Sequence, residues 1–251
     1  MFKANRGRCE RLGGVWPIGS IADRLRLMNS IGDAFGWAFK DPSWLSKIVV
    51  QGLILIIPII GWIAATGWLM MAFENARAGR NELPPAGFHL ERGIGLFGVY
   101  LIYALVLNIP AWILDGIGAA STRALQNASG TYPFFSNSPL SGLGSLWSFL
   151  AGLLLDFLIP SLIVLTFHNG FAGGLDVTRV WRYATSNMSN SVIAGLIIFV
   201  TGFITAAGII ACCIGIFFTA MYSISVQAGV AAWFERQQSA PAAPPAPPLN
   251  A

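Results

Sequence analysis

The chain has 251 residues, of which 55% are hydrophobic and only 10% charged, with a net charge of +4. A soluble domain carries about 25% charged residues, so this chain lacks the polar side chains that would solvate a globular surface. That excludes a soluble enzyme and a disordered scaffold and points to an all-α, polytopic transmembrane helical bundle.

Eight of the fifteen Lys and Arg lie within residues 1–47. Ahead of a long apolar run, such a segment reads as cytoplasmic retention and attraction to anionic lipid rather than as a nucleic-acid footprint. Residues 1–30 contain no continuous apolar stretch of the kind a signal peptide needs. Ile21, Leu25, Met28, Ile31, Phe35 and Phe39 recur at steps of three or four, which predicts an N-terminal interfacial amphipathic helix over 21–39. We divide the chain into a basic N-terminal region (1–40), a helical membrane domain (41–236) and a Pro/Ala-rich disordered tail (237–251).

Asp41-Pro42 predicts a helix start, because Asp caps and Pro is tolerated at the first helical position. An apolar run over 44–73 follows, interrupted by Pro58-Ile59-Ile60-Gly61. Four further runs cover 93–117, 146–167, 192–211 and 214–234. Each suffices for a hydrocarbon core ~30 Å thick at ~1.5 Å per residue. The first run is one over-long span, or a hairpin whose short first leg either crosses or re-enters. Counting cations separates the two. As a single span it leaves nine Lys/Arg inside and six outside; as a hairpin it leaves fourteen inside and only Arg123 outside. The positive-inside rule favours the hairpin. The expectation is therefore about six membrane segments with both termini cytoplasmic, and a long external loop over 119–145 that carries Tyr132, Phe134 and Phe135.

The order Asp41-Pro42-Ser43-Trp44, Pro58-Ile59-Ile60-Gly61, Gly67-Trp68, Arg77-Ala78-Gly79-Arg80-Asn81-Glu82-Leu83-Pro84, Arg92-Gly93-Ile94, Tyr103 and Pro110 resembles a known pattern. It is similar to the prokaryotic membrane-protein family catalogued as domain of unknown function 4013. The resemblance covers about residues 31–115, and the second half more loosely. The acidic residues usual after the Leu-Pro are replaced here by Pro85-Ala86-Gly87-Phe88-His89. The resemblance implies a prokaryotic inner-membrane protein and supplies no activity.

Asp156 is the first candidate for chemistry. It sits in Leu153-Leu154-Leu155-Asp156-Phe157, near the middle of a predicted span, and Pro160 removes the helical donor to its carbonyl. An ionisable group there costs at least ~2.5–3.5 kcal/mol, so it faces protein or water. It reads either as a relay or polar binding group, or as a hydrogen-bonded tie between helices. Asn108, Gln51, Thr166 and Tyr103 are its candidate partners, and Asn108 and Gln51 are themselves intramembrane polar candidates. Cys212-Cys213 and Cys9 form no disulfide framework or metal motif, and two separated histidines make no metal site. No nucleophile elbow, zinc motif or phosphate loop is present, so no catalytic residue and no cofactor is expected. Small residues recur four apart at Gly202/Ala206, Gly208/Cys212, Ser225/Gly229 and Ala228/Ala232, which lets helices approach closely.

These features predict a non-catalytic integral membrane protein, an accessory, scaffold or assembly subunit of a membrane complex or homo-oligomer. The alternative is a transporter or channel-like protein with Asp156 as the coupling residue. The expected partners are the lipid bilayer and other membrane proteins, with no nucleic acid.

Overall fold

A computed structural model describes residues 31–129, 138–210 and 215–239. Cys9, Cys212, Cys213, the 21–30 part of the N-terminal helix, the aromatics at 132–135 and the tail beyond 239 lie outside the described residues. All regular structure among the described residues is helical: α1 (Asp33–Gly36), a 3-10 turn (Trp37–Lys40), α2 (Trp44–Leu55), α3 (Ile60–Arg77), α4 (Leu90–Ser129), α5 (Pro139–Leu175), α6 (Val177–Thr185), α7 (Met188–Ile210) and α8 (Gly215–Ser239).

The apolar run over 44–73 is broken into the hairpin α2–α3, as its Pro and Gly predict. The turn is tight: the Ile60 N–H donates to the Pro58 carbonyl at 2.7 Å, with Ile59 at φ +63°. Gly61 is required beside it, since a Cβ there would lie 2.8 Å from the Leu55 Cα.

Among the described residues four helices, α4, α5, α7 and α8, are long and apolar enough to cross a membrane, against the six segments expected. The α2 helix, with 12 residues, is too short, and α3 carries Glu74, Asn75 and Arg77 in its last turns. Only 22% of the apolar window of α4 and 28% of that of α7 is buried within the protein, so most of both faces meets lipid. The chain is a multi-pass membrane protein.

The long external loop is corrected by the structure. The α4 helix continues to Ser129, and α5 starts at Pro139, where the Ser138 hydroxyl caps the Ser141 N–H at 3.2 Å. Ala119, Ala120, Ala124 and Leu125 are strong helix formers and outweigh the intervening Ser, Thr and Asn. Pro110 is accommodated inside α4; the Trp147 indole N–H of α5 takes the nearby Leu107 carbonyl at 2.8 Å.

The described part of the predicted interfacial helix differs too. Residues 33–40 form one short turn of α-helix and a 3-10 turn, and they bury Ala34, Trp37 and Ala38 fully, with Ile31 and Phe35 of the expected face half-buried against the core and Phe39 exposed. Trp37 donates its indole N–H to the Ser225 carbonyl of α8 at 2.9 Å, so this segment docks on the bundle.

α4 packs on α5 and α3, while α8 packs on α7, α3, α2 and α5. The densest core, with Trp37, Trp68, Leu69, Phe73, Met221 and Phe234, lies where α3 meets α8. Cross-element bonds set one end of the bundle: Lys47 to Leu83, Arg92 to Glu74, Arg77 to Glu235, and Ser186 to Gln238. The other end is marked by Gly118 close to Ser138.

Candidate functional site

Asp156 falls near the middle of α5 and is half-buried. It lines a groove of about 330 Å³ with Thr201 and Thr205 of α7 and Gln227 of α8, walled by Phe199 and Phe203. On its other side lies a smaller apolar groove of about 180 Å³, lined by Leu153, Phe157, Gly195 and Phe199. Two glycines keep this face low. Gly195 lets α7 approach the Phe157 backbone, with a hypothetical Cβ 2.9 Å from its Cα, and Gly202 has open space above it.

The hydroxyls beside Asp156 are already engaged. Thr201 donates to the Ile198 carbonyl at 2.6 Å. Thr205 lies 2.8 Å from the Ser223 hydroxyl, and Ser223 donates to the Thr201 carbonyl at 2.9 Å. Thr219 donates to the Thr205 carbonyl at 3.1 Å. This ladder ties α7 to α8 and leaves no hydroxyl hydrogen for the acid, since each hydroxyl carries one. Among the described residues Asp156 has neither a hydrogen bond nor an ion pair.

None of its expected partners reaches it. Asn108 donates to the Ala104 carbonyl of its own helix at 2.8 Å. Gln51 is fully buried in α2, where its side-chain oxygen accepts the Gly87 N–H at 2.9 Å. Tyr103 and Thr166 are buried near the α4–α5 contact with their hydroxyls unpaired, as are those of Tyr100 and Ser161.

Gln51 belongs to a second constellation. Asp41, 2% exposed, accepts the Ser43 N–H and hydroxyl on one oxygen, and Lys47 Nζ and the Leu83 N–H on the other, at 2.7–2.8 Å. Lys47 also donates to the Leu83 carbonyl at 2.7 Å, and the Trp68 indole donates to the Pro84 carbonyl at 3.3 Å. The entry to α2 and the 83–87 loop are thereby clasped together. Burial pushes the Asp41 carboxyl up, but the bonds from Lys47, Ser43 and Leu83 outweigh it and hold it at about 2.

The family described as a protein of unknown function, DUF4013, matches residues 50–214. The chain belongs to this family. No curated protein and no solved structure matches it. The match takes in the DUF4013 hairpin from Val50 and the Asp156 groove of α5 and α7, while Asp41 and Glu235 fall outside it.

Sequence reading missed one cluster of this DUF4013 protein. Glu235, near the end of α8, lies 2.8 Å from Arg77 Nε of α3 and 2.6 Å from His168 Nε2 of α5. The Arg77 guanidinium sits 5.7 Å from the centre of the Phe167 ring, and Arg236 donates to the Ala76 carbonyl at 2.8 Å. Nothing in the local sequence links positions so far apart; the one signal was an acid and a base flanking the ends of apolar runs. Among the described residues no three His, Cys, Asp or Glu are placed to hold a metal ion.

Proposed function

We propose that this protein is a non-catalytic subunit of a membrane complex, an accessory or assembly factor in a prokaryotic inner membrane with both termini in the cytoplasm. One observation carries this reading: Asp156 lines an open groove and makes no hydrogen bond or ion pair among the described residues. A carboxyl group in hydrocarbon costs several kcal/mol unless it is hydrogen-bonded. The neighbouring hydroxyls are committed to the α7–α8 ladder, which leaves the Gln227 amide as the one nearby donor of the chain itself and room in the groove for a donor from outside it. A transmembrane helix of another protein, bearing a polar or basic side chain, fits a groove with a low glycine floor and aromatic walls. The side on which Lys and Arg accumulate supports the orientation.

The test is native purification in nanodiscs, with mass spectrometry of what remains bound to the wild type, Asp156→Asn and Asp156→Leu. The expected result is a stoichiometric membrane partner that survives Asp156→Asn, which keeps hydrogen-bonding capacity, and is lost in Asp156→Leu. A lone protein that retains a small molecule would overturn the subunit reading and leave a transporter site in its place.

A further inference from the structure

We infer that α2 and α3 form a re-entrant hairpin: it enters the bilayer from the end of the bundle bearing Asp41 and Arg77, turns inside the hydrocarbon, and presents residues 56–60 to the acyl chains. This rests on the membrane reading alone and is independent of any partner at Asp156.

Length is the first reason. The 12 residues of α2 reach ~18 Å, against a hydrocarbon core of ~30 Å. Register is the second. The Thr66 hydroxyl of α3 donates to the Gly93 carbonyl of α4 at 3.0 Å, and a Cβ on Gly93 would lie 2.7 Å from the Gly67 nitrogen, so the two helices cross there. Beyond that crossing α3 has ~10 Å left before its turn, whereas the apolar run of α4 continues for ~36 Å to Ile117. The turn thus stops roughly 25 Å short of the level at which α4 leaves the apolar layer.

The surface of the turn is the third reason. Ile56, Ile57, Ile59, Ile60 and Trp62 are 40–66% exposed, and no charged residue lies among them. A water-facing turn gains nothing from such a run. The backbone is the fourth. Irregular chain survives in hydrocarbon only when its polar groups are satisfied. Here the N–H groups of Ile56, Ile57, Ile60, Gly61 and Ile63 donate to carbonyls of residues 53–59, at 2.7–3.3 Å, and Pro58 has no N–H to satisfy, so most of the turn's donors are paired, those of Ile59 and Trp62 excepted. The polar clasp of Asp41, Lys47 and Leu83 sits at the opposite end of the hairpin, where headgroups would lie.

Single cysteines in a Cys9→Ser, Cys212→Ala, Cys213→Ala background, reconstituted as the full chain in oriented proteoliposomes, test this. Ile59→Cys is expected to resist a membrane-impermeant maleimide from both faces, while Ser46→Cys is labelled from one face and Arg123→Cys from the other. A nitroxide at position 59 should relax with oxygen and not with a water-soluble nickel chelate. Labelling of Ile59→Cys from the Arg123 face would show a full crossing, and labelling from the Ser46 face would show a turn that never enters the bilayer; either overturns the inference. Ile57→Cys and Ile60→Cys read the same depth if Ile59→Cys does not fold.

Discussion

The Asp41 carboxylate holds the Leu83 N–H at 2.8 Å across 42 positions of sequence. The same oxygen binds Lys47, which in turn grips the Leu83 carbonyl, so both backbone polar groups of Leu83 are satisfied by two side chains from the entry to α2. The side chain of Leu83 is 2% exposed, so this arrangement lets an irregular loop bury an apolar residue without orphaning its backbone. Replacing the acid by an amide takes away the charge that Lys47 faces and one of the two accepting oxygens, leaving Lys47 only the Leu83 carbonyl. Asp41→Asn should therefore cost about 3 kcal/mol, read as a lower unfolding temperature in mild detergent.

A pH dependence follows from the same group. The Asp41 carboxyl is held at about 2 when folded, below the ~3.9 of an unfolded aspartate. Its contribution is therefore complete above pH ~4 and is lost as pH falls toward 2, to a total of about 2.5 kcal/mol. Unfolding followed from pH 6 down to 2 should show this loss in the wild type and a flatter profile in Asp41→Asn. Equal profiles would mean that the clasp does not hold the carboxylate.

Glu235 and Arg77 should behave unequally. The glutamate side chain is 11% exposed and faces both Arg77 and His168, whereas Arg77 is 44% exposed. Glu235→Ala strips two cationic or donor groups of their acceptor and is expected to destabilise by about 2–3 kcal/mol. Arg77→Ala leaves His168 on the acid and loses a partly screened pair, so about 1 kcal/mol is expected. A double-mutant cycle on these two positions, by thermal unfolding, should return a coupling of about 1 kcal/mol. No coupling would place Arg77 in solvent.

The long apolar runs and the Pro58–Gly61 interruption made the helical bundle and its first hairpin legible, because period and chain-breaking residues act locally. Ser138-Pro139 was a legible helix start that the apolar count passed over. The α4 extension to Ser129 was hidden because Ser, Thr and Asn resemble loop composition, although the alanines between them favour helix. The Ile31–Phe35–Phe39 face of the N-terminal helix is only partly buried, because Trp37 is larger and its indole needs a carbonyl acceptor, so Trp37 takes the fully buried position and Ile31 and Phe35 pack beside it. The Asp156 site was legible as an acid in an apolar run. That its neighbours' hydroxyls are engaged elsewhere was not, since this depends on how α7 faces α8. The Asp41 and Glu235 contacts join positions dozens of residues apart, which no spacing rule reaches.

Ile59 is the one described non-glycine residue at positive φ, at +63°. A β-branched residue there is strained by about 1–3 kcal/mol, and only glycine adopts this region freely. Ile59→Gly should relieve most of that strain and concede some unfolded-state entropy, for a net gain of about 1 kcal/mol in detergent. In bilayers the same change removes the most exposed apolar side chain of the turn, so the gain should shrink. Unfolding temperatures measured in both media check this; the same gain in both would mean that the Ile59 side chain takes nothing from lipid.

Gly229 has a different reason to be glycine. It is helical, and a Cβ there would meet the Trp37 ring at 3.0 Å and the Ala34 Cα at 3.1 Å. The small-residue face of α8 thus receives the 33–40 segment at this position and is not free for another protein. Gly229→Val inserts three carbons into a filled contact, where overpacking costs about 1–3 kcal/mol. The segment is also held to α8 by the Trp37 indole bond to Ser225, the Tyr222 hydroxyl bond to the Phe35 carbonyl and the stacking of Phe39 on Tyr222. These contacts lie within two turns of the substitution, so its effect should be local. Limited proteolysis is expected to cut near residues 33–40 faster in Gly229→Val than in the wild type, while the unfolding of the α7–α8 pair is unchanged. Unaltered cleavage would mean that Trp37 is held by something other than this groove.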